Sequence, residues 1–247
     1  TPTIPPSLYH TTLTSITSNP STQGTTLTTY VLETHTTLSA AHLFSVSALP
    51  RLGYHSSDFS AYHTQPNPTT PSPAWKYGPL VTVYTAPLPT KPSSGSGTSL
   101  PPPHFIISIA RTPNTLSLAE NTADHTVLLP RTSSPSHGPR ELYYVLQTKT
   151  NYRSIGDGSE PPPPLGLDGY QTVDVEGCYP SRGDALRAAK GVLKGMEGRT
   201  QFDERGEGKG EGYWPFGEDT VVHAVGDMGE MYAVSVRTAR EGVERFA

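Results

Sequence analysis

The chain has 247 residues, with 18 Lys and Arg against 22 Asp and Glu, 26 prolines, 23 glycines and a single cysteine. One cysteine excludes an intramolecular disulfide framework, and a net charge of −4 without clustered Lys and Arg lacks the phosphate-neutralising footprint of a nucleic-acid binder. No run approaches the roughly eighteen apolar residues that mark a membrane-spanning helix. With no apolar signal segment at its start, an intracellular protein, cytoplasmic or nuclear, is expected.

In chain order, residues 1–22 read as a flexible N-terminal tail. Tyr30–Thr36 (YVLETHT) is rich in β-branched and aromatic residues and is predicted to be a strand. Period-two alternation puts Tyr30, Leu32, Thr34 and Thr36 on an inward face and Val31, Glu33 and His35 on a solvated one. Ser39–Leu49, ahead of Pro50, is assigned as a helix, although Phe44–Ala48 alternates as a strand would. Leu80–Thr85 and Phe105–Arg111 are predicted to form a hairpin across a Pro/Ser/Gly loop.

Residues 119–139 read as a linker. Beyond it, Tyr144–Thr150 and Thr172–Tyr179 are predicted strands. Ser181 is placed as the N-cap of a helix, with Asp184 in its first turn and an apolar stripe of Ala185, Leu186, Ala189, Val192, Leu193 and Met196. Val221–Val225 and Met231–Thr238 form a second predicted hairpin across Gly226-Asp227-Met228-Gly229. Segments 64–74, 87–103, 113–139, 153–169 and 197–212 are expected to lack regular structure, with polyproline II at Pro101–Pro103 and Pro161–Pro164.

Three patterns recur in the same order: Tyr30–Thr36 with Tyr144–Thr150, Trp75-Lys76-Tyr77-Gly78 with Trp214-Pro215-Phe216-Gly217, and His104–Ile109 with Met231–Val236. They imply an α+β fold of two tandem divergent copies of a strand–helix–hairpin unit, residues 23–118 and 140–247. The expected sheet is mainly antiparallel, with helices on one face and long Pro/Ser/Gly loops, and the copies are expected to pack as one pseudo-twofold globule.

No catalytic constellation emerges, and no cofactor is expected. His35, His42, His55 and His63 are spaced too widely for the usual paired zinc ligands, so no metal is expected. Cys178 stands beside a helix start that can activate a thiol, but a buried structural role is the simpler assignment. Arg111 and Arg237 end comparable strands and suit an anionic ligand between the copies, against simple salt bridges to Glu120 or Glu241. Trp75, Tyr77, Trp214 and Phe216 are either plugs for sheet ends or anchors at an interface.

The first functional expectation is therefore a non-enzymatic protein-interaction module whose partner is another protein, with homo-oligomerisation open. The alternative is an enzyme or small-molecule binder with a cleft between the repeats. A nucleic-acid binder ranks last.

Overall fold

Threonine, valine and isoleucine crowd their own backbone in a helix and pack well on a pleated surface, so segments rich in them fold as strands. The computed structural model describes residues 3–19, 24–67, 75–78, 80–88, 104–129, 141–152, 169–196, 201–205, 216 and 219–239. It is a mainly antiparallel α+β structure that divides into two units, Thr1–Pro130 with Ala239–Ala247, and Arg131–Thr238.

The first unit holds a five-stranded sheet of β1 (Ser7–Asn19), β2 (Gly24–His35), β3 (Phe59–Thr64), β4 (Val81–Pro87) and β5 (His104–Pro113), in the order β2-β1-β5-β4-β3. Helix α1 (Leu38–Arg51) connects β2 to β3. The expected tail is thus corrected. Residues 7–19 form a long strand paired to β2 on one side and β5 on the other. Its threonines read as a polar tail by composition, yet Leu8 and Leu13 are buried to 2% and 0% exposure.

The linker is corrected too. β6 (Ala119–Glu120) and β7 (Val127–Leu128) make a small antiparallel pair joined to the end of β2 by a bridge between His35 and Thr126. Thr36 fastens that junction, its hydroxyl lying 3.0 Å from both the Glu120 carboxylate and the His125 carbonyl.

The second unit holds β8 (Tyr143–Tyr152), β9 (Gly169–Tyr179), β10 (Gln201–Glu204), β11 (Thr220–Val225) and β12 (Met231–Thr238), with α2 (Arg182–Val192) between β9 and β10. Their order is β10-β11-β12-β8-β9. Counted from its own first strand, each sheet has its second strand at one edge, then the first, fifth, fourth and third. The turn between β11 and β12 forms where the sequence put it. Gly229 takes φ +83° there, and its N–H donates to the Gly226 carbonyl at 3.0 Å. Strands β1, β3, β6, β7 and β10 escaped the sequence reading; β3 is a short edge strand reaching a segment read as loop only at Thr64, and the edge strand β10 lies wholly within one.

The correspondence reaches single residues. In the first sheet, Thr11 opposes Glu33 while Thr12 opposes Val31, leaving Leu32 as an extra residue in β2. In the second, Val145 opposes Gly177 while Leu146 opposes Val175, leaving Glu176 extra in β9. The other hairpin repeats the device. Val81 and Val83 oppose Ser108 and Ile107 around an extra Thr82, and Thr220 and Val222 oppose Ser235 and Val234 around an extra Val221. Thr37 and Ser181 cap the two helices by accepting from the N–H three residues on.

These registers correct two sequence readings. Tyr30 lies in β2 opposite Leu13, whereas Tyr144 lies in β8 opposite Cys178. The slot matching Tyr144 is His10, opposite Thr34. The seven-residue likeness of Tyr30–Thr36 to Tyr144–Thr150 therefore joins unlike strands, whereas the His104–Ile109 and Met231–Val236 segments do occupy matching ones. Tyr30, Leu32, Thr34 and Thr36 are buried as assigned, but the solvated face assigned to Val31, Glu33 and His35 fails, because the bulge at Leu32 breaks the alternation. Val31 and His35 are buried to 1% and 4%.

Each helix packs one face of its own sheet. Ala48 and Leu49 of α1 meet Leu13, Leu32, Phe59, Val83, Phe105 and Ile107. Ala185, Ala189 and Leu193 meet Val145, Val221, Val222, Ala224, Val234 and Val236. The N-cap of α2 is the predicted Ser181, and α1 starts one residue earlier than read, behind Thr37. Among the described residues, no helix is long and apolar enough to cross a membrane.

Candidate interaction site

Because Val83 points to α1, its neighbour Tyr84 points to the opposite face of the sheet. There it lies in a row with Ile106 of β5 and His63 of β3. Tyr77 stacks on Tyr84 with ring centroids 4.0 Å apart and planes at 15°. Around this pair, His104 meets Tyr84 edge-on at 4.8 Å, His63 lies 5.5 Å from Tyr77, and Trp75 meets Tyr77 edge-on at 5.0 Å. Offset and edge-on contacts of this kind add to the gain from burying the ring surface alone.

Local backbone chemistry explains the Trp-x-Tyr-Gly spacing. Gly78 adopts φ +106°, a region where a side chain would be strained. The turn lets the Gly78 carbonyl accept from the Trp75 indole N–H at 2.9 Å and from the Val81 N–H at 3.3 Å. Both rings are thereby held over the start of β4. Lys76 is exposed, with its ammonium 5.5 Å from the Tyr77 ring, and Leu80 is 58% exposed beside them. Burial holds the Tyr84 hydroxyl above its ordinary range and lowers His104 to about 4.

The second unit repeats the stacked pair. Phe216 lies on His223 at 3.8 Å and 8°, with the seven-residue spacing that separates Tyr77 from Tyr84. His223 follows Val222 in β11 as Tyr84 follows Val83 in β4, and it faces Ala233 on one side and Asp203 on the other. Burial lowers its pKa, partly offset by the Asp203 carboxylate. Trp214 lies outside the described residues. The sequence reading named Tyr77 and Phe216 but missed the rings beneath them, Tyr84 and His223. An aromatic ring seven residues downstream of the motif in both halves was the available signal.

The two arginines are not equivalent. Arg111 opposes Tyr9 on β1, and Arg237 opposes Tyr144 on β8, so the slot of Arg237 in the first sheet belongs to Ala110 and that of Arg111 in the second to Thr238. Arg111 donates from Nε and Nη2 to the Ser7 hydroxyl at 3.1 and 2.9 Å. Arg237 pairs with Asp219 at 3.6 Å. Glu120, considered as a partner of Arg111, is instead engaged by His125 at 2.5 Å.

The remaining candidates are local fittings. His35 packs on Phe44 at 5.3 Å, His42 meets the Gln65 carbonyl at 2.9 Å, and His55 caps the short turn Ser56–Asp58. Among the described residues no group of three or more His, Cys, Asp and Glu is placed to hold a metal ion. Cys178 is buried opposite Tyr144, and burial pushes its thiol up to about 12. A thiol so held carries almost no thiolate at neutral pH. The native protein at pH 8 is therefore expected to react with a disulfide reagent such as DTNB only after guanidinium unfolding; prompt release of one equivalent of chromophore from native protein would contradict this.

The chain matches no protein-family model, no curated protein and no solved structure.

Proposed function

We propose that the chain is a non-enzymatic protein-interaction module made of two divergent copies of one five-stranded unit, with its contact surface at the Trp75 and Tyr77 rings. The common ancestry rests on the shared strand order, the two bulges at matching positions in each sheet, the hydroxyl-capped helices and the repeated stacked ring pair. Chance placement of one bulge is ordinary; placement of both in the same slots of two sheets is what divergence from one ancestor leaves behind.

The observation that carries the interaction reading is the half-buried Trp75–Tyr77 pair flanked by exposed Leu80 and Lys76. Aromatic anchors surrounded by apolar and cationic neighbours have the composition of an interface core and its rim. The rings are fixed by Gly78 and by the stack on Tyr84, so little side-chain freedom is lost on binding.

A photoreactive residue placed at Lys76 tests this in the full chain. Irradiation in native extract is expected to yield a discrete adduct with another protein, and L80E is expected to reduce that adduct at least tenfold while leaving the thermal midpoint within about 2 °C, as surface substitutions do. Absence of any adduct, or an adduct insensitive to L80E, would overturn the reading.

A further inference from the structure

Helices α1 and α2 correspond residue by residue when counted from their caps, Thr37 and Ser181. The inward slots agree: Ala41, Ser45 and Leu49 of α1 are fully buried, and so, to 3% exposure or less, are Ala185, Ala189 and Leu193 of α2. The outward slots differ in kind. Where α2 carries Asp184, Arg187, Lys190 and Lys194, α1 carries Ala40, Leu43, Val46 and Pro50. Steps of three and four residues place each set on one helix face.

Leu43 is 70% exposed, Pro50 is exposed, and Ala40 and Val46 are half-buried. Arg51, at the last position, is the one Lys, Arg, Asp or Glu in α1. A helix that is covered by water on one side carries charge there, as α2 does, whereas a helix without it belongs inside an interior. The sheet does not ask for this, since α2 serves the same architecture with a charged outer face. The uncharged face of α1 therefore has a use beyond the fold of its own unit.

We propose that α1 packs against α1 of a second copy of the chain, antiparallel about a twofold axis near Leu43. Shape is the first reason. Leu43 projects among the small residues Ser39, Ala40 and Ser47, so the leucine of each copy fits beside the small residues of the other, as an isologous contact requires. Charge is the second. The face meets its own image without like-charge repulsion, whereas the face of α2 would set Arg187, Lys190 and Lys194 against themselves.

The two ends of α1 are also complementary. Arg51 is exposed on the C-terminal half, with its guanidinium 4.9 Å over the Phe44 ring. At the helix start, the Thr36 N–H donates to the His125 carbonyl, in a turn where the neighbouring Asp124 is exposed. Antiparallel apposition brings Arg51 of each copy to the end of the other helix at which Asp124 stands. The contact lies on the helix side of the first sheet, so it leaves the Tyr77 and Tyr84 rings on the opposite face free. A helix of this length spans only about 21 Å, which makes the contact small and the dimer of roughly micromolar strength.

Sedimentation velocity of the full chain from about 2 to 200 µM tests this, and the coefficient is expected to climb from the monomer value toward that of a dimer. Leu43→Arg installs the α2 residue at its matching exposed slot. It is expected to weaken the dimer roughly tenfold or more while leaving the thermal midpoint of dilute protein within about 2 °C. Arg51→Glu and Asp124→Lys are each expected to weaken the dimer, and the two together to restore it. Leu43→Cys is expected to be joined to a second copy by a short bismaleimide in native buffer, the other thiol, Cys178, being buried. The proposal is overturned if the native chain stays monomeric at the highest concentration, which would leave the face to a different protein. It is equally overturned if Leu43→Arg dimerises as well as the native chain, or if the double charge reversal dimerises no better than either single one.

Discussion

Acidification from pH 7 to 4.5 is expected to destabilise the protein through its buried neutral histidines, His10 among them. His10 is fully buried in the middle of the first sheet, its two ring nitrogens 2.8 and 2.7 Å from the hydroxyls of Thr34 and Thr112. A neutral imidazole suits this bracket, donating from one nitrogen and accepting at the other, while a protonated ring would have to donate from both. Burial lowers its pKa from 6.5 to about 4. The unfolded chain therefore takes up a proton on this group at a higher pH than the folded chain. The contribution is complete above pH 6.5 and is lost progressively as pH falls from 6.5 toward 4.

Each pH unit in that window costs about 1.4 kcal/mol for one such group, so His10 accounts for roughly 3 kcal/mol. His35 and His104, also lowered by burial to about 4, act in the same direction and the same window. Urea denaturation at half-unit steps between pH 7 and 4.5 measures the effect. H10Q should flatten the slope by about one proton's worth, and an unfolding free energy that stays level from pH 6.5 to 4.5 would contradict the buried neutral histidines.

Truncation of Phe105 to alanine is the second large expected effect. Phe105 has no exposed surface, and it meets Tyr54 edge-on at 4.8 Å and Phe59 at 6.0 Å. Its N–H also donates to the Thr85 hydroxyl at 2.8 Å, so the backbone around it is fixed and collapses poorly into a void. A loss of about 3–5 kcal/mol is expected, the usual cost of removing a buried phenyl ring. The matching residue of the second sheet, Tyr232, is only partly buried and has Lys149 over its ring at 5.3 Å. Y232A should cost clearly less than F105A in parallel denaturant titrations; equal losses would mean that the Phe105 rings do not form the tightest part of the first core.

The parts of the fold that could be read beforehand are those whose signal is local. Helix α2 announces itself through Ser181, Asp184 and an apolar stripe, because capping and burial on one side act within a few turns. The β11–β12 hairpin was legible from Gly226–Gly229 for the same reason. The Trp75-x-Tyr77-Gly78 spacing likewise has a local cause, the turn at Gly78. Strand β1 was not legible. Threonine is polar by composition and extended by backbone preference, and its fate depends on whether β2 and β5 are present to pair with it.

The YVL likeness shows the opposite hazard. Tyr30–Thr36 and Tyr144–Thr150 share residues because both are strands with buried apolar side chains, and pairing partners rather than composition decide which strand of a sheet each becomes. Within the candidate site, Tyr77 and Phe216 were visible through their motif. Tyr84 and His223 were marked only by their common position, seven residues beyond Tyr77 and Phe216, because a tyrosine and a histidine do not align as one residue type.

By itself the sequence determined the classes of element and most hairpin positions, through propensity, capping and turn chemistry that act over a few residues. Tertiary structure alone decided the strand order, the two bulges that set which side chains face the helix, and the pairing of His10 with Thr34 and Thr112. These depend on hydrogen bonds and packing between residues far apart in the chain, whose energies exist only once the strands have met.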